Sequence, residues 1–468
     1  MLRGFVWCAC FDAYVIIIPA FILFFNKYRE SPGYLEKREI SKRQNEYDLI
    51  CRQNEYTRTI STEKFINWQY KLLEFYYKEN KENKYFTSVF NEEYPVYIFK
   101  GINYKYPFTE LLQKNKLKCG KNHKNYISGK KIKKSKYYKE YFQIMQPQLL
   151  PRKYQKVQRP LMQGFMLDKL IIKNGYVSHL NAWAGTYAQN VYTSHILEYE
   201  NYVLFKKYAD KKTGFKKIKR KMTLRNRIHK NKKIIDVLES GCNRASLLII
   251  QLIVLIYNPV KDEYEILFIK RSEDVAERSG FFQFVPTGGF EILGTEVDCS
   301  ENELIKNFNV VYTIFREFAE EVFNEESFEK GKPGETADKV LEHDEVKKII
   351  DMIQNGKAHM EFLGSIAGLI SLKNELSFVL RIDDEKYYEN VFHANFEGKD
   401  ILRKTVSEFD KLMEEKNAGG ASNKKLFNPP SAALYKLLKE NHLYKDIVKK
   451  RLTTPNGENI YFTKILQT

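Results

Sequence analysis

Residues 245–257, ASLLIIQLIVLIY, form a long apolar run that is followed by NPVKD and a second run, EYEILFIKR. The pattern predicts a hairpin of two buried strands. FFQFVP predicts a further short strand, stopped by Pro286 and the pair Gly288 and Gly289, where the backbone can turn sharply and approach a ligand. HMEFLGSIAGLISL and ELSFVLRIDD predict two more strands meeting near Lys373 and Asn374. NPPSAALYKLLKENH then predicts a helix with proline at its start and an Asn or Ser cap.

Between these strands, NVVYTIFREFAEEVF (309–323) repeats apolar residues at helical spacing. Val310, Ile314, Phe318 and Val322 recur every four residues beside Val311 and Phe315, so one face must lie against the sheet. Glu317, Glu320 and Glu321 are related by i, i+3 and i+4 and gather on a neighbouring face. Such like charges repel unless a cation or basic partner neutralises them, and Mg²⁺ beside substrate phosphates is a natural candidate. Arg316 can reach Glu320 one turn on and hold its orientation.

Upstream, the pattern is weaker. Residues 30–95 predict polar helices, with Phe65, Trp68, Leu72, Phe75 and Tyr76 as a packing stripe, and residues 100–160 predict irregular or linking structure. FMLDKLIIKNGYVSHLNAWAG predicts two strands around Asn174-Gly175. TSHILEYENYVLFKKY then predicts a helix capped by Thr193 or Ser194. His179 and His195 have no partners at ligand spacing and read as structural or surface residues. Residues 5–25 form an apolar run of membrane-crossing length, interrupted by Asp12 and Pro19. A membrane anchor with the rest of the chain cytoplasmic and a buried hydrophobic hairpin or helix are the two expectations for it.

Charge adds one asymmetry. The net charge is +18, yet residues 101–235 alone carry 32 Lys or Arg against 6 Asp or Glu. This segment could hold nucleic acid or an anionic membrane, although Lys-rich runs are usually solvated loops. Six scattered cysteines without a CxxC pair support neither a zinc site nor a disulfide framework.

The succession ILFIKR, FQFVPTGG and REFAEEV resembles the Nudix hydrolases, whose signature runs Gly, five residues, Glu, seven residues, then Arg-Glu-apolar-x-Glu-Glu-x-Gly-apolar. The resemblance implies an α/β fold in which residues 245–445 form an α/β/α sandwich around a mixed sheet. Before it would come a hydrophobic segment (1–29), a helical, basic region (30–160) and a small α+β unit (161–244), with a tail (446–468) after it. It makes Gly289 the box glycine, with Gly288 and Gly289 against the substrate, Arg316 the orienting arginine, and Glu317, Glu320 and Glu321 the Mg²⁺ or Mn²⁺ ligands. Two departures stand out. The stretch from Gly289 to Arg316 is longer than the family pattern, which leaves Glu291 and Glu296 as rival box glutamates, and Phe323 replaces the final glycine, with Asn324 able to take over its cap. Glu375 or Glu408 could add a carboxylate. The implied activity is metal-assisted hydrolysis of a nucleoside diphosphate linked to another moiety. The alternative is a non-catalytic nucleotide sensor whose basic region grips nucleic acid or membrane.

Overall fold

The computed structural model describes residues 32–78, 84–100, 115–117, 136–149, 163–173, 176–272, 278, 280–292, 307–325, 337–390, 392, 398–416 and 422–442. The apolar run 5–25 and residues 293–306, Glu296 among them, lie outside them. Among the described residues no helix is long and apolar enough to cross a membrane.

Two compact units divide the chain, residues 1–56 and 57–468. In the first, the described part belongs to helix α1 (Pro32–Ile60), on which Tyr47 and Ile50 are exposed. The second opens with α2 (Glu63–Tyr77), capped by the Thr62 hydroxyl, which accepts from Phe65 N at 3.2 Å. Its expected stripe is buried at Phe65, Leu72 and Tyr76, while Phe75 is exposed.

Residues 84–95 depart from expectation. Instead of helix they form β1 (Thr87–Val89) and β2 (Glu92–Tyr94), and β3 (Val96–Lys100) follows. Phe90 and Asn91, with φ of 52° and 58°, make the two-residue left-handed turn that right-twisted hairpins favour. The stretch read as irregular also holds β4 (Asn115–Leu117) and α3 (Lys136–Leu149).

The two strands expected on either side of residues 174–175 pair as β5 (Gln163–Lys173) and β6 (Tyr176–Thr186). The following helix starts earlier than expected. Thr186 caps it in a reciprocal box with Gln189, and a wide turn at Val191–His195 leads into α4 (Ile196–Tyr208). Thr193 and Ser194 do not cap because their hydroxyls bond carbonyls, Gln189 O at 2.7 Å and Ala245 O at 2.9 Å respectively.

The apolar runs become β7 (Ile249–Asn258) and β8 (Glu263–Arg271), joined where the Asn258 side chain accepts from Val260 N and Lys261 N. Then come β9 (Phe282–Phe284), β10 (Thr287–Gly289), α5 (Val310–Val322), α6 (Asp344–Gln354), β11 (Ala358–Gly368), β12 (Asn374–Ile382), β13 (Gly398–Thr405), α7 (Val406–Glu414) and α8 (Pro429–Glu440). The sheet runs β13-β8-β7-β12-β11-β3, with β9 on β8 and β10 on β7. It is mixed, since β7 and β12 pair in parallel and the other pairs are antiparallel.

Helices cover both faces. The two-residue alternation along β7 places Ile250, Leu252, Val254 and Ile256 in one core with Ile314, Phe315 and Phe318 of α5 and Ile349 and Ile353 of α6. On the other face Gln251 reaches the Pro430 carbonyl at the start of α8. Phe165, Leu167, Leu170 and Leu180 of the β5–β6 hairpin belong to the α5 core too, so residues 161–244 and 245–445 share one interior.

Two fully buried arginines reinforce that join. Arg225 donates to the Tyr77 hydroxyl and to the carbonyls of Leu369 and Ile370, each at 2.6 Å. Arg244 donates to Leu372 O at 2.8 Å. Beside them His229 meets the Tyr77 hydroxyl at 3.1 Å. Burial, then the charges of Arg225, Arg244 and Lys219, push its pKa down to about 3. Because an unfolded histidine titrates near 6.5, the folded state gains stability from neutral His229 above that pH and loses it as pH falls toward the folded value. The urea midpoint of the wild type should therefore drop between pH 7 and pH 4.5, and His229→Gln should flatten that drop by the order of a few kcal/mol. Equal slopes in the two proteins would contradict this account.

Candidate functional site

The glutamate helix forms because Asn309 caps it, accepting from Val311 N at 2.9 Å and Tyr312 N at 3.3 Å. It ends where Asn324 takes a φ of 54°, the left-handed cap expected one residue late. Its charged residues are not on a solvated face. Arg316, Glu317, Glu320 and Glu321 are all buried, at 2%, 3%, 8% and 3% exposure.

Gly288 and Gly289 explain how. The sequence suggests a turn at this pair, but both lie in a strand, with Gly288 opposite Ile250 and Gly289 opposite Ile249 of β7. A Cβ on Gly288 would collide with the Glu317 carboxyl group, so the missing side chain is the space that lets α5 settle on β10. Arg316 locks the contact by donating to Gly289 O at 2.6 Å.

The same guanidinium pairs with Glu317 and stands 3.7 Å from Glu320 and 3.9 Å from Glu291. Burial opposes its charge, but Glu317, Glu320, Glu291 and Glu321 outweigh burial and hold its pKa above the usual value. Glu321 accepts from Thr287 N at 2.7 Å, a second tie between helix and strand. Glu291, one of the two rival box glutamates, is thus brought to the cluster. The β5 strand fixes its segment, since Phe165 N donates to Phe290 O at 2.8 Å.

A cleft of about 150 Å³ opens beside this cluster. Gly288, Gly289, Glu291 and Glu317 line it, whereas Glu320 and Glu321 do not. Glu375 lines it as well. Glu408 stands elsewhere, closing a capping box with Thr405 and bonding Lys261 at 3.0 Å. The Thr405 N–H, then Lys261, lower its pKa. Among the described residues no three His, Cys, Asp or Glu side chains form a ready-made metal-holding group.

The rest of the lining was missed by sequence reasoning. His195 is buried in this wall rather than on the surface, with Lys373 Nζ 3.3 Å and Asn190 Nδ2 3.0 Å from its Nε2. Arg278 pairs with Glu198 at 3.0 Å, and Arg271 donates to Gln283 at 2.8 Å. Asn428 starts α8 without a side-chain cap, since Pro429 and Pro430 open the helix without N–H groups, and its amide donates to Gln283. These residues come from four distant stretches of chain, and no local pattern announces them.

A scan against protein-family models finds no match, and no curated protein matches the sequence. Among solved structures, similar ones include the NUDIX domain of Shewanella oneidensis NrtR complexed with ADP ribose, at 12% identity and a TM-score of 0.21, covering 36% of this chain and 78% of that one. A MutT/nudix family protein from Enterococcus faecalis matches at 14% identity and a TM-score of 0.21, over 38% of this chain and 54% of its own. The chain therefore spans about half the length of that protein. A NUDIX hydrolase from Alicyclobacillus acidocaldarius matches at 13% identity and a TM-score of 0.24, over 45% and 98%. Each likeness is partial and distant.

Proposed function

We propose that this cleft hydrolyses a nucleoside diphosphate linked to another moiety, cleaving the diphosphate by attack of water. The observation that supports it is the gathering of buried Glu317, Glu320 and Glu321, with partly buried Glu291, around the guanidinium of Arg316, beside a strand whose glycine makes room for a carboxylate. Carboxylates gathered this closely repel one another, and a cation bound among them would relieve that repulsion.

The residues present fit Mg²⁺ or Mn²⁺ in their chemistry, since all four supply oxygen alone. Mg²⁺ is commonly held by one or two carboxylates together with substrate phosphates, so the absence of a three-residue cage among the described residues is compatible with it. Glu317 and Glu291, which face the cleft, would hold the ion, and it would supply charge neutralisation and a more acidic bound water. Arg316 keeps Glu317 in place, and Glu321 anchors the helix through Thr287 N. Glu375, facing the cleft from β12, takes the proton from the attacking water. Lys373 and Arg278, which also line the cleft, draw in the anionic substrate.

A panel of nucleotide sugars, dinucleotide cofactors and nucleoside triphosphates with Mg²⁺ tests the reading. Release of a nucleoside monophosphate or phosphate product from at least one class is the expected result. Binding without cleavage across the panel would favour the nucleotide-sensing alternative.

A further inference from the structure

Gln283 holds a position in the cleft that the hydrolytic reading does not use. Its side chain is buried, at 1% exposure, and lies on the opposite side of β9 from the aromatic packing of Phe282 and Phe284. Its Oε1 accepts twice, from Arg271 at 2.8 Å and from Asn428 Nδ2 at 3.0 Å. Arginine has no acceptor, so the atom facing Arg271 must be the oxygen. That fixes the amide, and the Nε2 end is left buried with no hydrogen-bond partner among the described residues.

A buried amide NH₂ without an acceptor is costly, and a native protein retains one where a ligand completes it. The surroundings say which ligand. Glu198, Glu291, Glu317 and Glu375 line the same cleft, but the group that adjoins the amide is the Arg271 guanidinium; Arg278, paired with Glu198, and Lys373 also line the cleft, and Asn428, Pro429 and Pro430 bring the positive end of the twelve-residue helix α8 to it. We infer that Gln283, oriented by Arg271 and Asn428, is a specificity-determining residue that donates to an anionic phosphate oxygen of the ligand. The subsite deepens the hydrolytic reading but does not depend on turnover.

The test is binding without metal, measured by calorimetry and thermal shift, with ADP, inorganic pyrophosphate and adenosine as probes. ADP and pyrophosphate should bind the wild type, and adenosine should bind at least about tenfold more weakly than ADP. Gln283→Glu keeps the shape, replaces the donor with a carboxylate, and should weaken ADP and pyrophosphate roughly ten- to hundredfold. Gln283→Met removes the donor without adding charge and should weaken them less, but measurably. Unliganded melting temperatures and circular dichroism identify any variant that fails to fold, and the other variant then decides. Wild-type affinity for ADP in a folded variant, or adenosine binding as tightly as ADP, would overturn the proposal. Phosphate binding by the wild type without cleavage of any panel compound would sink the hydrolytic reading and leave the subsite standing, so the two readings fail separately.

Discussion

Arg316→Met should destabilise the protein by about 3–5 kcal/mol, the penalty for stripping the partner from buried charges. The guanidinium is 2% exposed and serves Gly289 O, Glu317, Glu320 and Glu291 together, so its loss takes the shared counter-charge from the carboxylate cluster. Urea unfolding measures the deficit. Glu317→Gln placed in the Arg316→Met background should recover part of it, because it removes one of the stranded charges, and the double-mutant cycle isolates that coupling. A single-variant deficit below about 1 kcal/mol would mean that the carboxylates do not rely on Arg316.

The second large effect concerns activity. Glu317→Gln should lower kcat roughly a thousandfold, equivalent to about 4 kcal/mol of lost transition-state stabilisation. Its stability should hold or rise, since a like charge leaves a crowded carboxylate cluster. Opposite signs in turnover and stability are the mark of a residue kept for function.

Much of this fold was legible wherever burial is strongly periodic. The β7–β8 hairpin, the apolar face of α5, the β11–β12 pair and α8 follow from runs whose period matches their structure. Residues 84–100 were not legible because β1 to β3 are short, and their turn uses Phe90 and Asn91 in place of the usual Asn-Gly. Gly288 and Gly289 misled for a related reason: glycine in sequence signals a turn, whereas here it makes room for a carboxylate behind a strand.

The site divides along the same line. Arg316 and its glutamates announce themselves by helical spacing, although the spacing could not show that Glu291 and Glu317 line the cleft and Glu320 and Glu321 do not. His195, Lys373, Arg271 and Gln283 converge only through long-range packing, and their sequence neighbourhoods carry no sign of it. The buried side chains of Arg225 and Arg244 explain that convergence in part: they grip the carbonyls of the loop that ends at Lys373.

The most direct measurement compares Mg²⁺-dependent hydrolysis by the wild type, Glu317→Gln and Glu408→Gln on whichever panel compound the wild type cleaves. Glu317 faces the cleft and Glu408 caps α7, so the account predicts a roughly thousandfold loss in the first and activity within about twofold of wild type in the second. Equal activity in the two variants would contradict it.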